Sequence, residues 1–284
     1  MNLLRKIITR TLFLLILIGI IFEIDPDIID AKAKNKMLTM NNIYETQYKL
    51  TNSQEVFWNQ ILELYNKGVR KGIVTEIEMT VYEMRMIMYN PHILPECHYS
   101  DATSYLSGIC PIYDKKKTKV TGQMVQMKKI AATLDNSKLN EKKIKRIINQ
   151  LKLTKKTTEV NAVKKINKYI SDTVKYDYKH KKNTLSAALF GNTVCSGYAY
   201  EFCAICKTVG LNAQYVVGIV KTNTGWQSHS WNKVKVNNVI KYVDVCWNDT
   251  GETLNYLLIS KNKIRVDHKD KSKTMYKYSK VKYF

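Results

Sequence analysis

The feature that most constrains the fold of this chain lies just past Lys181. There the sequence changes from a series of predicted helices to a single helix followed by strand-like runs. A helix is predicted to begin near Cys195, and Gly210 stands where a left-handed residue would end it. Apolar positions recur along this helix at three- and four-residue steps, at Ala199, Phe202, Cys206 and Val209. Strand-like runs follow at 213–220, 229–236, 239–247 and 256–259. We therefore expect a helix followed by a series of strands.

The sequence before this change of pattern predicts mainly helices. Apolar residues recur at helical spacing between about 41 and 89, and Pro91 and Pro95 then open a loop-rich stretch. Further helices are predicted at 128–134, 141–151 and 158–175. We expect residues 34–158 to form a mainly helical region, to which the sequence assigns no role.

The amino terminus has the pattern of an export signal. Three basic residues, Arg5, Lys6 and Arg10, precede an apolar run at 11–22, which is shorter than the roughly 20 residues that span a bilayer. The Ala-Lys-Ala triplet at 31–33 offers a cleavage site but lies well downstream, so an uncleaved anchor is the alternative. We assign residues 1–33 to a signal peptide or membrane anchor. The rest of the chain is then expected to be extracellular or associated with the cell envelope.

The chain is strongly basic, with 46 Lys and Arg against 24 Asp and Glu and a net charge of +22. Most of this positive charge is lysine, whereas arginine is the side chain that best reads phosphates and base edges. No nucleic-acid recognition motif accompanies the charge, so a nucleic-acid partner is not expected. A cationic surface would instead suit anionic cell-wall polymers or a membrane surface.

The cysteines outside the predicted helix indicate no metal site. Cys97 and Cys110 could close a disulfide loop or remain free thiols, and the sequence leaves both options open. Together with His92 and His98 they match no ordinary zinc spacing. We predict neither a metal ion nor a cofactor.

Cys195 is the first candidate for chemistry, because it would lie in the first turn of the predicted helix. There the helix dipole and the free amide groups favour a thiolate, and the same amides could stabilise an oxyanion. Cys203 and Cys206 lie beyond the first turn, so we interpret them as packing residues. Tyr198 is interpreted in the same way.

A predicted hairpin supplies the imidazole that such a cysteine needs. Asn237 and Asn238 tolerate the positive φ of a tight two-residue turn. The register that follows places Asp244 opposite Trp231 and puts His229 on the same face, as a diagonal neighbour of Asp244. The carboxylate could then orient the imidazole. We expect the preceding helix to cover the His229 end of this face.

Each of these three residues also has a plain structural interpretation. A cysteine at a helix start is usually a small apolar residue, and a strand histidine is usually a half-buried polar one. An aspartate beside a tryptophan can simply accept a hydrogen bond. The order of Cys195, His229 and Asp244 along the chain, and the shared face of the last two, favour a catalytic site.

Three sequence blocks resemble those of the transglutaminase-like superfamily. They are Val194-Cys195-Ser196-Gly197-Tyr198-Ala199, His229-Ser230-Trp231-Asn232 and Val243-Asp244-Val245-Cys246-Trp247. The resemblance covers roughly 160–268 and implies a papain-like α+β fold, in which a catalytic helix packs on an antiparallel sheet. It implies Cys195 as nucleophile, His229 as general base and acid, and Asp244 as the orienting carboxylate. We assign residues 159–284 to this catalytic domain.

The chain departs from the family pattern in ways that bear on its reaction. A proline often follows the family aspartate, where this chain has Val245. The tryptophan that supports the oxyanion in the animal crosslinking enzymes has no counterpart before Cys195, and no acidic calcium loop is present. These departures weaken the case for crosslinking more than the case for thiol chemistry.

The leading hypothesis is an exported thiol enzyme that acts on amide bonds of proteins or peptides through a Cys195 thioester. Water as acceptor would make it a peptidase or amidase, and an amine would make it an acyltransferase; we favour hydrolysis. The alternative is a catalytically silent binding or scaffold protein of the cell envelope. Trp226 and Trp231 could line a substrate cleft or belong to the core, and the sequence does not decide between these.

Overall fold

The computed structural model describes residues 35–43, 49–101, 106–251 and 256–272. These residues fall in one compact unit, Asn35–Phe284. The predicted signal peptide or anchor at 1–33 lies outside the described residues. Within the described ranges, no helix has both the length and the apolar character required to cross a membrane.

The first part of this unit combines long helices with a small antiparallel sheet. The helices are α1, Asn52–Asn66; α2, Val81–Tyr89; and α3, Met127–Gln150. The strands are β1, Gly72–Thr75; β2, Met79–Thr80; β3, Ile109–Tyr113; and β4, Lys119–Gln126. Strand β4 pairs with the other three. The mainly helical content is confirmed, but the helical spacing does not predict this sheet.

Helices α1 and α2 both begin at a capping box. The side chain of Thr51 accepts a hydrogen bond from the Gln54 backbone amide, and Oε1 of Gln54 accepts one from the Thr51 backbone amide. Thr80 and Glu83 do the same at the start of α2. Each box satisfies two amide groups that a helix start would otherwise leave without a partner.

Helix α3 is one continuous helix, so the prediction of separate helices at 128–134 and 141–151 is wrong. Buried polar residues fill the gap in the apolar pattern. Asn140 donates from Nδ2 to the Tyr99 carbonyl oxygen at 2.7 Å, and Ser137 Oγ accepts from the Tyr99 amide at 3.2 Å. Because these buried groups are hydrogen-bonded, the helix packs here without apolar side chains.

Helix α3 contributes to two apolar cores. Ile130 and Leu134, in its first half, pack with α1 and α2 around Phe57. Ile144 and Ile147, in its second half, belong to the core of the following part of the chain. The domain boundary placed between residues 158 and 159 stays a prediction.

The second part of the unit carries the predicted helix and sheet. Its helices are α4, Glu159–Thr173; α5, Leu185–Leu189; α6, Cys195–Thr208; α7, Val245–Thr250; and α8, Lys261–Ile264. Its strands are β5, Lys175–Tyr176; β6, Asn192–Thr193; β7, Ala213–Thr222; β8, Gly225–Val236; β9, Val239–Val243; and β10, His268–Asp270. Strands β7 to β10 form an antiparallel sheet in the order β10-β7-β8-β9. The predicted α+β fold is confirmed.

The hairpin formed by β8 and β9 has the predicted turn and register. Asn237 and Asn238 have φ angles of 50° and 68°, as a tight turn of this kind requires. Val236 pairs with Val239, as predicted, but the ladder ends at Asn232 and Val243, one step before the predicted pair of Trp231 and Asp244. A slip of one residue would move every side chain of β8 to the other face, so this register fixes the face on which His229 lies.

Two predicted strands at the end of this region are wrong in extent. The strand predicted at 239–247 ends at Val243, because Asp244 caps helix α7 by accepting a hydrogen bond from the Trp247 amide. The strand predicted at 256–259 reduces to an isolated bridge with β9. Local capping overrides the strand-like pattern at this point of the chain.

Helix α6 packs on the face of the sheet that carries Asn232 and Val234. Val234 shares the core of α6, and Asn232 donates from Nδ2 to the Ala199 carbonyl oxygen at 3.0 Å. His229 lies on the opposite face, because side chains alternate along a strand. The expectation that the helix covers the His229 face is therefore wrong. The apolar stripe of α6 packs instead on the face that carries apolar side chains such as Val234. Helix α6 meets His229 through its first residue, Cys195.

Candidate active site

Cys195 is the first residue of helix α6, as predicted. The Val194 amide donates to the Lys182 carbonyl oxygen at 2.9 Å, which holds the chain as it enters the helix. Val194 supplies no capping side chain, so the first amides of α6 lack the usual side-chain acceptor. Cys195 is partly exposed. A substrate carbonyl could therefore reach both the thiol and these amides.

The first turn of α6 sits close against β6, and this contact requires a glycine. A Cβ atom on Gly197 would lie 2.0 Å from Oγ1 of Thr193. Thr193 is itself fixed by donating a hydrogen bond to the Lys182 carbonyl oxygen at 3.0 Å. The missing side chain at Gly197 thus lets the first turn of α6, which carries Cys195, pack against Thr193.

His229 and Asp244 form the buried pair that the hairpin register predicts. Nε2 of His229 lies 2.7 Å from Oδ2 of Asp244, and the two side chains are 7% and 0% exposed. The other carboxylate oxygen, Oδ1, accepts the Trp247 amide at 3.1 Å. The start of α7 therefore fixes the carboxylate that orients His229.

The Cys195 thiol also interacts electrostatically with the imidazole of His229 and helps to raise its pKa. Because Nε2 is engaged by Asp244, the nitrogen that remains for the thiol is Nδ1. The structure thus places His229 and Asp244 in direct contact and Cys195 where its thiol acts on the imidazole; the catalytic roles of the three residues stay predictions.

The electrostatics of the site favour a charged imidazole. Burial alone would lower the pKa of His229, but the Asp244 carboxylate and the Cys195 thiol raise it to about 10. Burial would raise the pKa of Asp244, but its hydrogen bonds and charge interactions with His229 and His268 hold that pKa well below its usual range. An imidazolium beside an ionised carboxylate satisfies both shifts.

Aromatic rings surround the imidazole on the sheet side. The ring centroid of Trp231 lies 6.2 Å from that of His229, and the centroid of Trp247 lies 5.6 Å from it. Trp231 is 2% exposed and belongs to the core, whereas Trp226 is 41% exposed. Lys269 lies over the Trp226 ring, with Nζ 3.8 Å from its centroid. Of the two tryptophans left open by the sequence, Trp231 is thus a core residue and Trp226 a surface one.

A second histidine, His268, completes the site, and the sequence analysis does not single it out. Its Nε2 atom lies 3.1 Å from Oδ2 of Asp244, and its Nδ1 atom lies 2.5 Å from Oδ1 of Asp267. No periodicity could reveal it, because β10 has three residues and pairs with β7, which lies far away in the sequence.

The site atoms of His229, Asp244 and His268 lie within 4.8 Å of one another, as metal ligands can. However, the separations from Asp244 Oδ2 are 2.7 Å to His229 and 3.1 Å to His268. Two ligands of a tetrahedral zinc ion are about 3.3 Å apart. The observed separations are those of hydrogen bonds, and we interpret the group as a hydrogen-bonded one.

Tyr176 is another neighbour of Cys195 that the sequence analysis does not identify. Strand β5 pairs with β6 so that Tyr176 stands beside Thr193. Burial, and the nearby Cys195 to a smaller extent, raise the pKa of Tyr176 to about 12. Its hydroxyl group therefore stays protonated at neutral pH and can donate a hydrogen bond near the thiol.

The remaining cysteine predictions are resolved by the structure. Cys97 is buried and Cys110 is exposed, and both are free thiols. Cys203 and Cys206 are buried in α6, which confirms that they are packing residues. Tyr198 is also buried, as predicted, and donates from its hydroxyl group to Asp249 at 2.6 Å.

Comparison with known proteins agrees with this geometry. Residues 143–245, which include Cys195, His229 and Asp244, match the family model described as the Transglutaminase-like superfamily. No curated protein matches the chain.

Two solved structures show weaker similarity. One is described as that of a candidate cysteine protease from Cytophaga hutchinsonii, with 19% identity and a TM-score of 0.33, over 38% of this chain and 37% of that one. The other is described as that of a TGase, with 14% identity and a TM-score of 0.38, over 70% of this chain and 59% of that one. This chain thus spans less than two thirds of the length of either.

The family match and the three sequence blocks identify the same segment of the chain. Residues 143–245 of this protein are similar to the core of the Transglutaminase-like superfamily.

Proposed function

We propose that this protein is an exported thiol enzyme that acts on amide bonds of proteins or peptides. The observation that carries the proposal is the buried contact of His229 with Asp244, at 2.7 Å, beside a thiol at the start of a helix that interacts electrostatically with the same imidazole. A thiol becomes an effective nucleophile when an oriented imidazole takes its proton. A silent scaffold of the cell envelope would need neither interaction, so we favour the enzyme over that alternative.

In the proposed reaction, Sγ of Cys195 attacks the carbonyl carbon of a substrate amide after its proton has moved to His229. The carbonyl oxygen becomes an oxyanion, for which the first amides of α6 and the Tyr176 hydroxyl group are the candidate donors. The C–N bond then breaks, and His229 gives its proton to the leaving amine. A water molecule, deprotonated by His229, attacks the resulting thioester and releases a carboxylic acid and the free thiol.

The loop beside Cys195 supports water rather than a lysine amine as the acceptor. The carboxylate of Asp177 accepts the backbone amides of Lys179, Lys181 and Lys182 at 3.2, 2.9 and 2.9 Å. All three lysine side chains are exposed, and the Lys182 carbonyl oxygen binds the residue before Cys195. A cationic lysine acceptor would be repelled by this loop, whereas water would not.

The proposed compartment is outside the cytoplasmic membrane, because basic residues tend to stay inside and the apolar run at 11–22 would carry the chain across. The net charge of +22 would suit an anionic cell wall. Protease added to intact cells should then digest the catalytic domain. Complete protection, with recovery of the protein in the soluble cytosol, would refute export.

The activity itself is tested with the purified full-length chain and a glutamine-containing protein, in the presence of a fluorescent primary amine. We expect release of ammonia or peptide to exceed amine incorporation, and Cys195→Ala to lower release by about a thousandfold or more. The matched control is Cys110→Ala, at an exposed thiol outside the site, which should leave the rate unchanged.

Two results would change this account. Full activity in Cys195→Ala would end the assignment of Cys195 as nucleophile. Efficient amine incorporation that depends on Cys195 would replace hydrolysis by crosslinking as the leading function.

A further inference from the structure

A line of hydrogen-bonding contacts extends beyond Asp244, buried at His268 and partly buried at Asp267. Oδ2 of Asp244 lies 3.1 Å from Nε2 of His268, and Nδ1 of His268 lies 2.5 Å from Oδ1 of Asp267. The hydroxyl group of Tyr256 donates to the other oxygen of Asp267 at 2.6 Å. His268, Asp267 and Tyr256 have no part in the mechanism proposed for Cys195, His229 and Asp244.

His268 contacts the same carboxylate oxygen that orients His229. Oδ2 of Asp244 is shared between the two histidines, at 2.7 Å and 3.1 Å. Asp244 is 0% exposed and His268 is 2% exposed. Because both side chains are shielded from solvent, water cannot replace a lost hydrogen bond. Each contact to the Asp244 carboxylate therefore contributes strongly to the position of that carboxylate.

The partners of His268 determine whether its ring donates or accepts the hydrogen bond with Asp244. Both ring nitrogens face carboxylate oxygens, Oδ2 of Asp244 and Oδ1 of Asp267. Ionised carboxylates accept hydrogen bonds and do not donate them, so His268 must act as the donor toward Asp244. Asp267, anchored by Tyr256, holds the ring in the orientation that aims Nε2 at Asp244.

The sheet supplies the geometry that brings His268 to Asp244. Strand β10 pairs with β7, with His268 opposite Val220. A Cβ atom on Gly218 would lie 2.1 Å from the Lys269 carbonyl oxygen and 2.5 Å from the Trp231 ring. The missing side chain at Gly218 lets β10 approach and lets Trp231 lie 4.9 Å from the His268 ring, between centroids.

We propose that His268 is a positioning residue of this enzyme, which fixes the Asp244 oxygen that orients His229. This inference rests on the proposed function, because positioning matters only if His229 serves the Cys195 thiol. In this role His268 acts through Asp244 and not on the thiol itself. The titratable groups that face His268 are Asp244, Asp267, Tyr256 and His229.

The test measures the rate at which iodoacetamide alkylates Cys195 between pH 4 and 9 in the full-length chain. His268→Leu removes the donor to Asp244, whereas His268→Gln keeps an N–H at about the place of Nε2. Ile264→Ala, in the apolar core on the same side of the sheet, is a control for loss of stability alone. We expect His268→Leu to slow alkylation about tenfold at pH 6 and to move its acid limb to higher pH.

We expect His268→Gln to restore most of the rate, and Ile264→Ala to leave the acid limb where it is. If His268→Leu does not fold, Asp267→Asn tests the same contacts at a partly exposed position and should slow alkylation several-fold. A wild-type pH profile in the folded His268 or Asp267 variants would overturn the positioning role, as would equal slowing in Ile264→Ala. If Cys195 is unreactive in the wild type, the proposed function fails first.

Discussion

Asp244 has two structural roles, and they explain how this chain tolerates a departure from the sequence pattern of the family that it resembles. One carboxylate oxygen caps α7 through the Trp247 amide, and the other binds His229. The proline that often follows the family aspartate would fall at the first position of α7, where proline is favoured. Val245 occupies that position here and starts the same helix. The departure therefore leaves the carboxylate in place.

The pKa of His229 predicts how the stability of the protein depends on pH. An exposed histidine in the unfolded chain titrates near pH 6.5, whereas Asp244 and Cys195 raise the folded pKa of His229 to about 10, against the effect of burial. The folded protein thus holds a proton that the unfolded chain releases. The stabilisation is fully present below about pH 6.5 and is lost as the pH rises through about 10.

This dependence can be measured as the free energy of unfolding in urea at intervals from pH 6 to 10. The wild type should lose stability across that range, and His229→Gln should lose less, since it has no proton to release. Equal slopes in the two proteins would contradict the charged state assigned to His229.

At the level of single residues, the sequence predicts those members of the site that lie in local patterns. Cys195 starts an apolar stripe, and His229 and Asp244 are related by a turn of two asparagines. His268 has no such mark, since its contact with Asp244 depends on the sheet pairing of a three-residue strand. A contact made by tertiary structure alone leaves no periodicity in the sequence.

At the level of helices and strands, agreement between the predicted and the observed elements depends on whether two local sequence signals compete. The turn at Asn237 and Asn238 and the end of α6 near Gly210, with φ 85°, have no competing signal and are correctly predicted. Past Val243, the strand-like pattern competes with a capping aspartate, and the cap prevails. The short strands β1 and β2, of 4 and 2 residues, carry too little alternation to be recognised.

The end of β9 also shapes the site. Its ladder with β8 stops at Asn232 and Val243, three residues after His229 along β8. The chain then turns into α7, which carries Cys246 into the core of α6. The early end of this strand therefore allows Asp244 to lie beside His229 and the helix of Cys195 to pack nearby.

Across the described part of the molecule, the cysteines have sharply different surroundings. Burial raises the pKa of Cys203 to about 11 and also raises the pKa values of Cys97, Cys206 and Cys246. Such thiols stay protonated and react slowly. Cys195 is partly exposed and interacts electrostatically with His229. Differences in thiol reactivity are thus a direct report on the proposed site.

The central claim, that Cys195 is an activated nucleophile, is tested most directly by the alkylation rates of all six cysteines at pH 7, followed by mass spectrometry of the peptides. Cys110 is the reference, because it is the exposed thiol outside the site. We predict that Cys195 reacts at least about tenfold faster than Cys110, and that His229→Gln removes this advantage. A Cys195 that reacts no faster than Cys110 would contradict the account.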